Sequence, residues 1–206
     1  MTTLRFDDLR QHSDILRLRS GRSLKVRLVE PDDADALQAY FRGLTIRSRY
    51  NRFFGAMSEL PRDLLAHFVH AGEHDRFSVI AAITIDGRET IVGEARYAFD
   101  AGTDSFEFGL SVDDRWQGHG IGSALLGNLQ CRAAAFGAKR VFGDTLRSNE
   151  AMIGLARKSG FAFTHSPNDW KLVRFEKQVA LASQEIPCAS WWLAAQGLAL
   201  SAAARA

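Results

Sequence analysis

Cysteine is nearly missing from this chain. Two residues, Cys131 and Cys188, stand 57 positions apart among 206, which fits neither a disulfide framework nor a metal-ligand spacing. A reducing cytoplasm is the expected setting, and no metal is expected. Long apolar runs are missing too. Nothing approaches the ~20 residues that span a bilayer, and the opening Met1-Thr2-Thr3-Leu4-Arg5-Phe6-Asp7-Asp8-Leu9 has acids where a signal peptide needs an apolar core. Neither sign of charge is in excess: 26 Lys and Arg against 24 Asp and Glu leave a net +2, so no nucleic-acid partner is expected. Hydrophobic residues at 46% and charged residues at 24% are ordinary for a soluble globular chain, and the length suits one domain with an adequate core.

The informative stretch runs from 106 to 123, Phe-Glu-Phe-Gly-Leu-Ser-Val-Asp-Asp-Arg-Trp-Gln-Gly-His-Gly-Ile-Gly-Ser. Phe106 to Val112 alternates bulky apolar with smaller or polar residues, which predicts a β-strand. Three glycines, Gly118, Gly120 and Gly122, then fall within five positions. Ser123 to Phe136 follows as a helix former, with apolar residues at Leu125, Leu126, Leu129 and Ala133, Cys131 as a small core residue, and a stop at Gly137. A strand, a glycine turn and a helix N-terminus make an anion site. Backbone N–H groups converge there, the helix dipole adds about half a positive charge, and glycine lets a phosphate approach the backbone.

Two common phosphate loops do not match. A dinucleotide fingerprint reads G-x-G-x-x-G, whereas these glycines fall as G-x-G-x-G; a Walker loop needs a Lys after its last glycine, and Ser123 stands there. The pattern present is Gln117-x-x-Gly120-x-Gly122, preceded by Leu110-Ser111-Val112 and Asp113-Asp114. It resembles the acyl-CoA-binding motif of the GNAT superfamily of N-acetyltransferases.

The rest of the chain tests that resemblance. Residues 1–23 form a charge-rich lead-in, with one short helix expected over Asp7 to Leu18. Leu24 to Val29 alternates strictly and predicts a strand. Pro31 and a cap at Asp32 or Asp33 start a helix through Ala34, Leu37, Tyr40, Phe41 and Leu44. In Thr45 to Phe54, Tyr50, Phe53 and Phe54 are expected to pack inward while Arg47, Arg49 and Arg52 face water, with one arginine at the mouth of a cleft. A helix from Pro61 to Val69 precedes strands at Phe77–Ile85 and Thr90–Phe99, joined by turns to each other and to Phe106–Val112. Arg140 to Leu146 returns as a strand parallel to Phe106–Val112 through a right-handed crossover. Asn149 then caps a helix from Ala151 to Lys158, and Phe161–His165 with Trp170–Val179 makes a last hairpin.

This order of elements is similar to the N-acetyltransferase fold over residues 24–180. Asn149-x-x-Met152 with Gly160-Phe161 matches the superfamily's second signature. Leu44 through Arg52-Phe53-Phe54, and Glu107 before Phe108, look most like the protein lysine acetyltransferase (Pat-type) branch. The resemblance implies an α/β chain of the α+β type: a central mixed, mostly antiparallel sheet of six to seven strands, flanked by helices, with splayed central parallel strands. It implies acetyl-CoA as cosubstrate and a primary amine as acceptor, with protein lysine leading, a small amine second, and a non-catalytic acyl-CoA sensor third. A bulge near 110–112 would splay the strands, leaving Leu110, Ser111 and Val112 to bind the pantetheine arm as a pseudo-strand. The segment Gln117, Gly118, His119, Gly120, Ile121, Gly122 and Ser123 would hold pyrophosphate, and Asn149 and Met152 the other side of the arm.

Glu107 is the expected general base, because an amine protonated at neutral pH must lose a proton before it attacks. Flanked by Phe106 and Phe108 on the opposite face, it points alone into a cleft expected to be partly dry. An ion pair with Arg96 is the competing role, and Glu94 is the second candidate base. Many superfamily members carry a Tyr as general acid where this chain has Ala156. The thiolate therefore leaves unprotonated, or water or Ser148 supplies the proton. Residues 181–206 form an apolar tail with Trp191, Trp192 and Leu198 on one stripe, expected to dock on the domain or to join two subunits.

Overall fold

The computed structural model describes residues 13–70, 76–167 and 169–179. Eight strands form one sheet: β1 (Asp14–Arg17), β2 (Ser23–Leu28), β3 (Arg76–Ile85), β4 (Arg88–Asp100), β5 (Ser105–Val112), β6 (Arg140–Leu146), β7 (Ala162–His165) and β8 (Leu172–Gln178), in the spatial order β1-β2-β3-β4-β5-β6-β8-β7. All neighbours are antiparallel except β5 and β6. The helices are α1 (Ala34–Gly43), α2 (Ile46–Phe53), α3 (Arg62–Val69), α4 (Ile121–Ala135) and α5 (Glu150–Lys158).

Local chemistry explains most of these boundaries. Asp86 and Gly87 both adopt positive φ, 49° and 78°, in the two-residue link between Ile85 and Arg88, the geometry that matches hairpin twist. Asn149 caps α5 by accepting from Met152 N at 3.3 Å, and Gly160 ends the segment at φ 76°. Asp33, expected as a helix cap, instead accepts from Glu30 N at 2.8 Å and pairs with Arg27 at 2.7 Å.

The eighth strand corrects the expectation for the lead-in. Asp14–Arg17 is β1, paired with Ser23–Val26, and not the end of a helix; the first part of that helix, 7–12, lies outside the described residues. Asp14 is 4% exposed and accepts from Asn128 of α4 at 2.6 Å, so a buried long-range contact overrides local propensity. The apolar tail at 181–206 also lies outside the described residues.

Two cores sandwich the sheet. Leu125, Leu126 and Leu129 of α4, Ala156 of α5 and the rings of Tyr97, Phe106, Phe108, Phe161 and Phe175 fill one side. Leu37, Tyr40 and Phe41 of α1, with Phe68 and Val69 of α3, cover Ile80 and Ile91 on the other. Cys131 is buried, as a small core residue should be. Among the described residues no helix is long and apolar enough to cross a membrane, and no group of side chains could hold a metal ion.

Candidate active site

The site begins where β5 and β6 part. Their parallel register covers Ser105↔Arg140, Phe106↔Val141 and Glu107↔Phe142, while β5 runs on to Val112 and β6 to Leu146. At the crotch a Cβ on Gly143 would stand 2.6 Å from the Phe108 carbonyl oxygen, so glycine lets the two strands touch there before they diverge. Beyond it opens a cleft of about 370 Å³, with Glu107, Gly109 and Leu110 on one wall and Thr145, Asn149 and Met152 on the other. Backbone groups of β5 that face the gap have lost their strand partner, and an extended amide-bearing chain could satisfy them.

The opening does not arise from a bulge at 110–112. The β4–β5 register is unbroken from Gly93↔Val112 to Asp100↔Ser105. The bulge lies one strand away at Val92 of β4, where pairing jumps from Ala81↔Gly93 to Ala82↔Ile91. The Val92 carbonyl accepts from Asp113 N at 2.9 Å, which turns the chain out of β5 into the loop. The gap is therefore made by the departure of β6.

At one end of the gap stands the glycine loop. Gly118 and Gly120 take φ of 77° and 90°, conformations suited to glycine. A Cβ at either would meet no atom within 4 Å, so the space above the loop is open. Gly120 caps α4, whose first turn contains no acidic residue. Ala124 N makes the first bond, to Gly120 O at 3.0 Å. The N–H groups of Ile121, Gly122 and Ser123 thus precede the helical ladder at its positive end. Gly122 has a packing reason as well: a Cβ there would lie 3.2 Å from Leu155 of α5.

The side chains of the loop hold its shape. Gln117 Nε2 donates to the Val112 carbonyl at 3.2 Å. His119 is exposed, with Nδ1 2.9 Å from the Gln117 carbonyl and its ring edge-on to Trp116. Asp114 accepts from Thr45 N, Thr45 Oγ1 and Ser48 Oγ at 2.9, 3.0 and 2.7 Å, fastening the start of α2 to the loop. Burial tends to raise the Asp114 pKa, but these hydrogen bonds outweigh it and hold the carboxyl below its usual range. The stability they contribute is present above the unfolded-state pKa and is lost as pH falls through the lowered folded value.

Glu107 stands on the cleft wall with Phe106 and Phe108 turned to the opposite core, 0% and 5% exposed. Its own side chain is exposed, so the dry setting expected for it is not present in the free protein. Arg96, the expected rival partner, instead places its guanidinium 5.0 Å from the Phe68 ring. Glu94 is 3% exposed and committed: Arg52 donates to it through Nε at 2.6 Å and Nη2 at 3.2 Å, and Ser111 Oγ donates at 2.7 Å. Tyr40 Oη lies 3.0 Å from Ser111 Oγ; burial, then the Glu94 charge, pushes the phenol pKa well up.

The fork thus brings Glu107, Leu110, Asn149 and Met152 to one cleft. The side chain of Ser111 turns away into the Glu94 network. The Val112 carbonyl is taken by Gln117. Asn149 uses Oδ1 to cap α5 and Nδ2 to reach Thr145 Oγ1 at 3.0 Å. Ala156 is fully buried in the core, and Ser148 is exposed, outside the residues that line the cleft.

The expectation for residues 45–54 holds in part: Phe53 packs on Phe41 and Phe68, Arg47 is exposed, and Arg52 lines the cleft. Tyr50 and Phe54 are 43% and 42% exposed, whereas Arg52 turns inward with its side chain 13% exposed. One signal was readable. Gly109 interrupts a strand of bulky residues, and a strand glycine marks close approach; a Cβ there would lie 2.6 Å from Arg52 Nη1.

Known proteins point the same way. The family model described as "Acetyltransferase (GNAT) family" matches residues 37–161. An acetyltransferase of Pseudomonas aeruginosa is 25% identical over 152 residues, which is 74% of this chain and 82% of that protein. The crystal structure of the GNAT domain of S. lividans Pat superposes with a TM-score of 0.73 at 28% identity, over 81% of this chain and 96% of that one. A putative acetyltransferase from Salmonella typhimurium, solved with its cofactor acetyl-CoA, shares the fold at 18% identity and a TM-score of 0.61, over 80% of this chain and 99% of that one.

Proposed function

The chain belongs to the acetyltransferase (GNAT) family of acyl-CoA-dependent N-acyltransferases, and from that premise we propose that it acetylates a lysine side chain of a protein, with Glu107 as general base. The observation that carries this reading is the placement of Glu107 on the wall of the β5–β6 gap, three residues before Leu110. Resemblance to the Pat-type branch, with 28% identity to the S. lividans Pat domain over 81% of the chain, supports lysine as the acceptor.

The N–H groups at the start of α4 hold pyrophosphate, and the edge of β5 around Leu110 to Val112, apart from the Val112 carbonyl that Gln117 occupies, holds the pantetheine arm, with Asn149 and Met152 opposite. Acetyl-CoA supplies an activated acyl group as a thioester. Glu107 takes a proton from the incoming ammonium, freeing the nitrogen lone pair to attack the thioester carbonyl. A C–N bond forms, the nitrogen sheds its second proton to water, the C–S bond breaks, and the sulfur leaves as a thiolate, whose modest basicity requires no protein acid. Filling the cleft excludes water from around Glu107, which strengthens its pull on the proton. We further propose that the catalytic domain expected over residues 24–180 also takes in β1, which pairs with β2 in the same sheet.

A panel assay of CoA release tests this function. Lysine peptides should turn over and small amines should not. Release with small amines alone would overturn the lysine reading, and no release with any acceptor would mark an acyl-CoA sensor. The loop has its own test. Gly120→Val introduces a side chain into the open space above the loop at φ 90°, and acetyl-CoA affinity should fall by at least ~2 kcal/mol. Unchanged affinity by calorimetry, in a variant shown to be folded, would remove the loop from the binding site.

A further inference from the structure

We propose that Arg96, assisted by Arg76, recognises a carboxylate on the acceptor, so that the preferred substrate is a lysine with an acidic residue close beside it. This rests on the acceptor reading of the cleft given above. The two arginines line the same cleft as Glu107, and the sheet register sets them around a common floor. Arg76, Ala98 and Glu107 form one row across β3, β4 and β5, and Ser78, Arg96 and Gly109 form the next. Neighbouring strands lie about 4.8 Å apart, so Arg76 and Glu107 flank Ala98 with roughly 10 Å between their backbones. Arg96 is the diagonal neighbour of Glu107, at about 7–8 Å. Ala98 leaves the floor between Arg76 and Glu107 low, while Arg52 covers Gly109 beside it.

The charges in this cleft do not cancel. Arg52 is neutralised by Glu94, and Arg174 by Asp144 at 2.7 Å. Among the described residues, neither Arg76 nor Arg96 pairs with a carboxylate. Arg96 is half-buried, with its guanidinium over the Phe68 ring. Burial, and then repulsion from Arg76 and Arg52, push its pKa down, and the attraction of Glu94 offsets them only in part. The planar guanidinium offers a fork of N–H donors that fits a carboxylate in bidentate fashion. An acceptor whose amine reaches Glu107 would bring an acidic group one or two residues away over Ala98 toward Arg96.

Binding to the CoA-loaded protein tests this without turnover. Fluorescence anisotropy would compare lysine peptides carrying Asp next to the lysine with the same peptides carrying Asn. The Asp peptides should bind about tenfold more tightly, the scale of one charge-assisted hydrogen bond. The preference should vanish in Arg96→Gln, return in part in Arg96→Lys, and shrink in Arg76→Gln, while acetyl-CoA affinity stays unchanged in each. Equal binding of Asp and Asn peptides would overturn the proposal and leave the lysine reading standing. A preference that survives in the Arg96→Gln, Arg76→Gln double variant would overturn it too. Binding of neither peptide would remove the lysine reading and this proposal together. An Arg96-dependent preference for succinyl-CoA over acetyl-CoA, with none among peptides, would assign the carboxylate to the acyl chain and also overturn it.

Discussion

Replacing Glu107 by Gln should leave acetyl-CoA affinity almost unchanged and lower turnover by ~10²- to 10⁴-fold at neutral pH, the usual worth of a positioned base. Gln keeps the shape and the hydrogen-bonding capacity of the side chain but cannot take a proton. The loss should shrink at high pH, where the lysine arrives already deprotonated and needs no base. Little structure is at risk, because Glu107 is exposed and the neighbouring Arg96 sits on Phe68. Thermal stability should therefore match the parent protein. A variant that loses stability, and keeps the pH profile of the parent, would make Glu107 a structural residue.

The second large effect concerns stability. In Arg52→Ala, the carboxylate of Glu94 stays in a site where its side chain is 4% exposed, with Ser111 as a hydrogen-bond donor but no counter-ion. Breaking one side of a buried pair typically costs about 3–5 kcal/mol, and urea denaturation would measure it. The sign of its pH dependence follows from the same physics. An unpaired buried carboxylate has a folded pKa above its unfolded value, so the folded state binds the extra proton. The deficit should be smallest below the unfolded pKa and grow as pH rises toward the raised folded value. Adding Glu94→Gln to Arg52→Ala should recover part of the loss, since an amide in that site carries no charge. A deficit that is flat with pH and unchanged by the second substitution would mean that packing of Arg52 on Gly109 and Phe53, rather than charge, is what was lost.

Much of this protein was legible before any tertiary contact was known, because it depends on periods of two and 3.6 residues and on turn chemistry. Alternation placed β2 and β5, and Asp86-Gly87 placed a hairpin turn. Gly118 and Gly120 announced a turn into a helix N-terminus, since their conformational need for glycine is local. Asn149 was readable as a cap for the same reason.

Tertiary structure decided the rest. Asp14–Arg17 became an edge strand because its partners, β2 and Asn128, are distant in sequence, which no local pattern reports. In α2, arginines and aromatics recur on interleaved faces, so amphipathicity alone could not choose which side turned inward. Glu94, carried by β4, chose Arg52. The bulge fell at Val92 rather than in β5, because strand register is a property of pairs and not of one strand. The composition of the cleft, with Arg76 and Arg96 beside Glu107, exists only once β3, β4 and β5 lie in register. The sequence by itself determined the family, the fold and the conformation of the glycine loop; the sheet alone brought Arg76, Arg96 and Glu107 to one cleft, since they come from segments whose neighbours are set by folding.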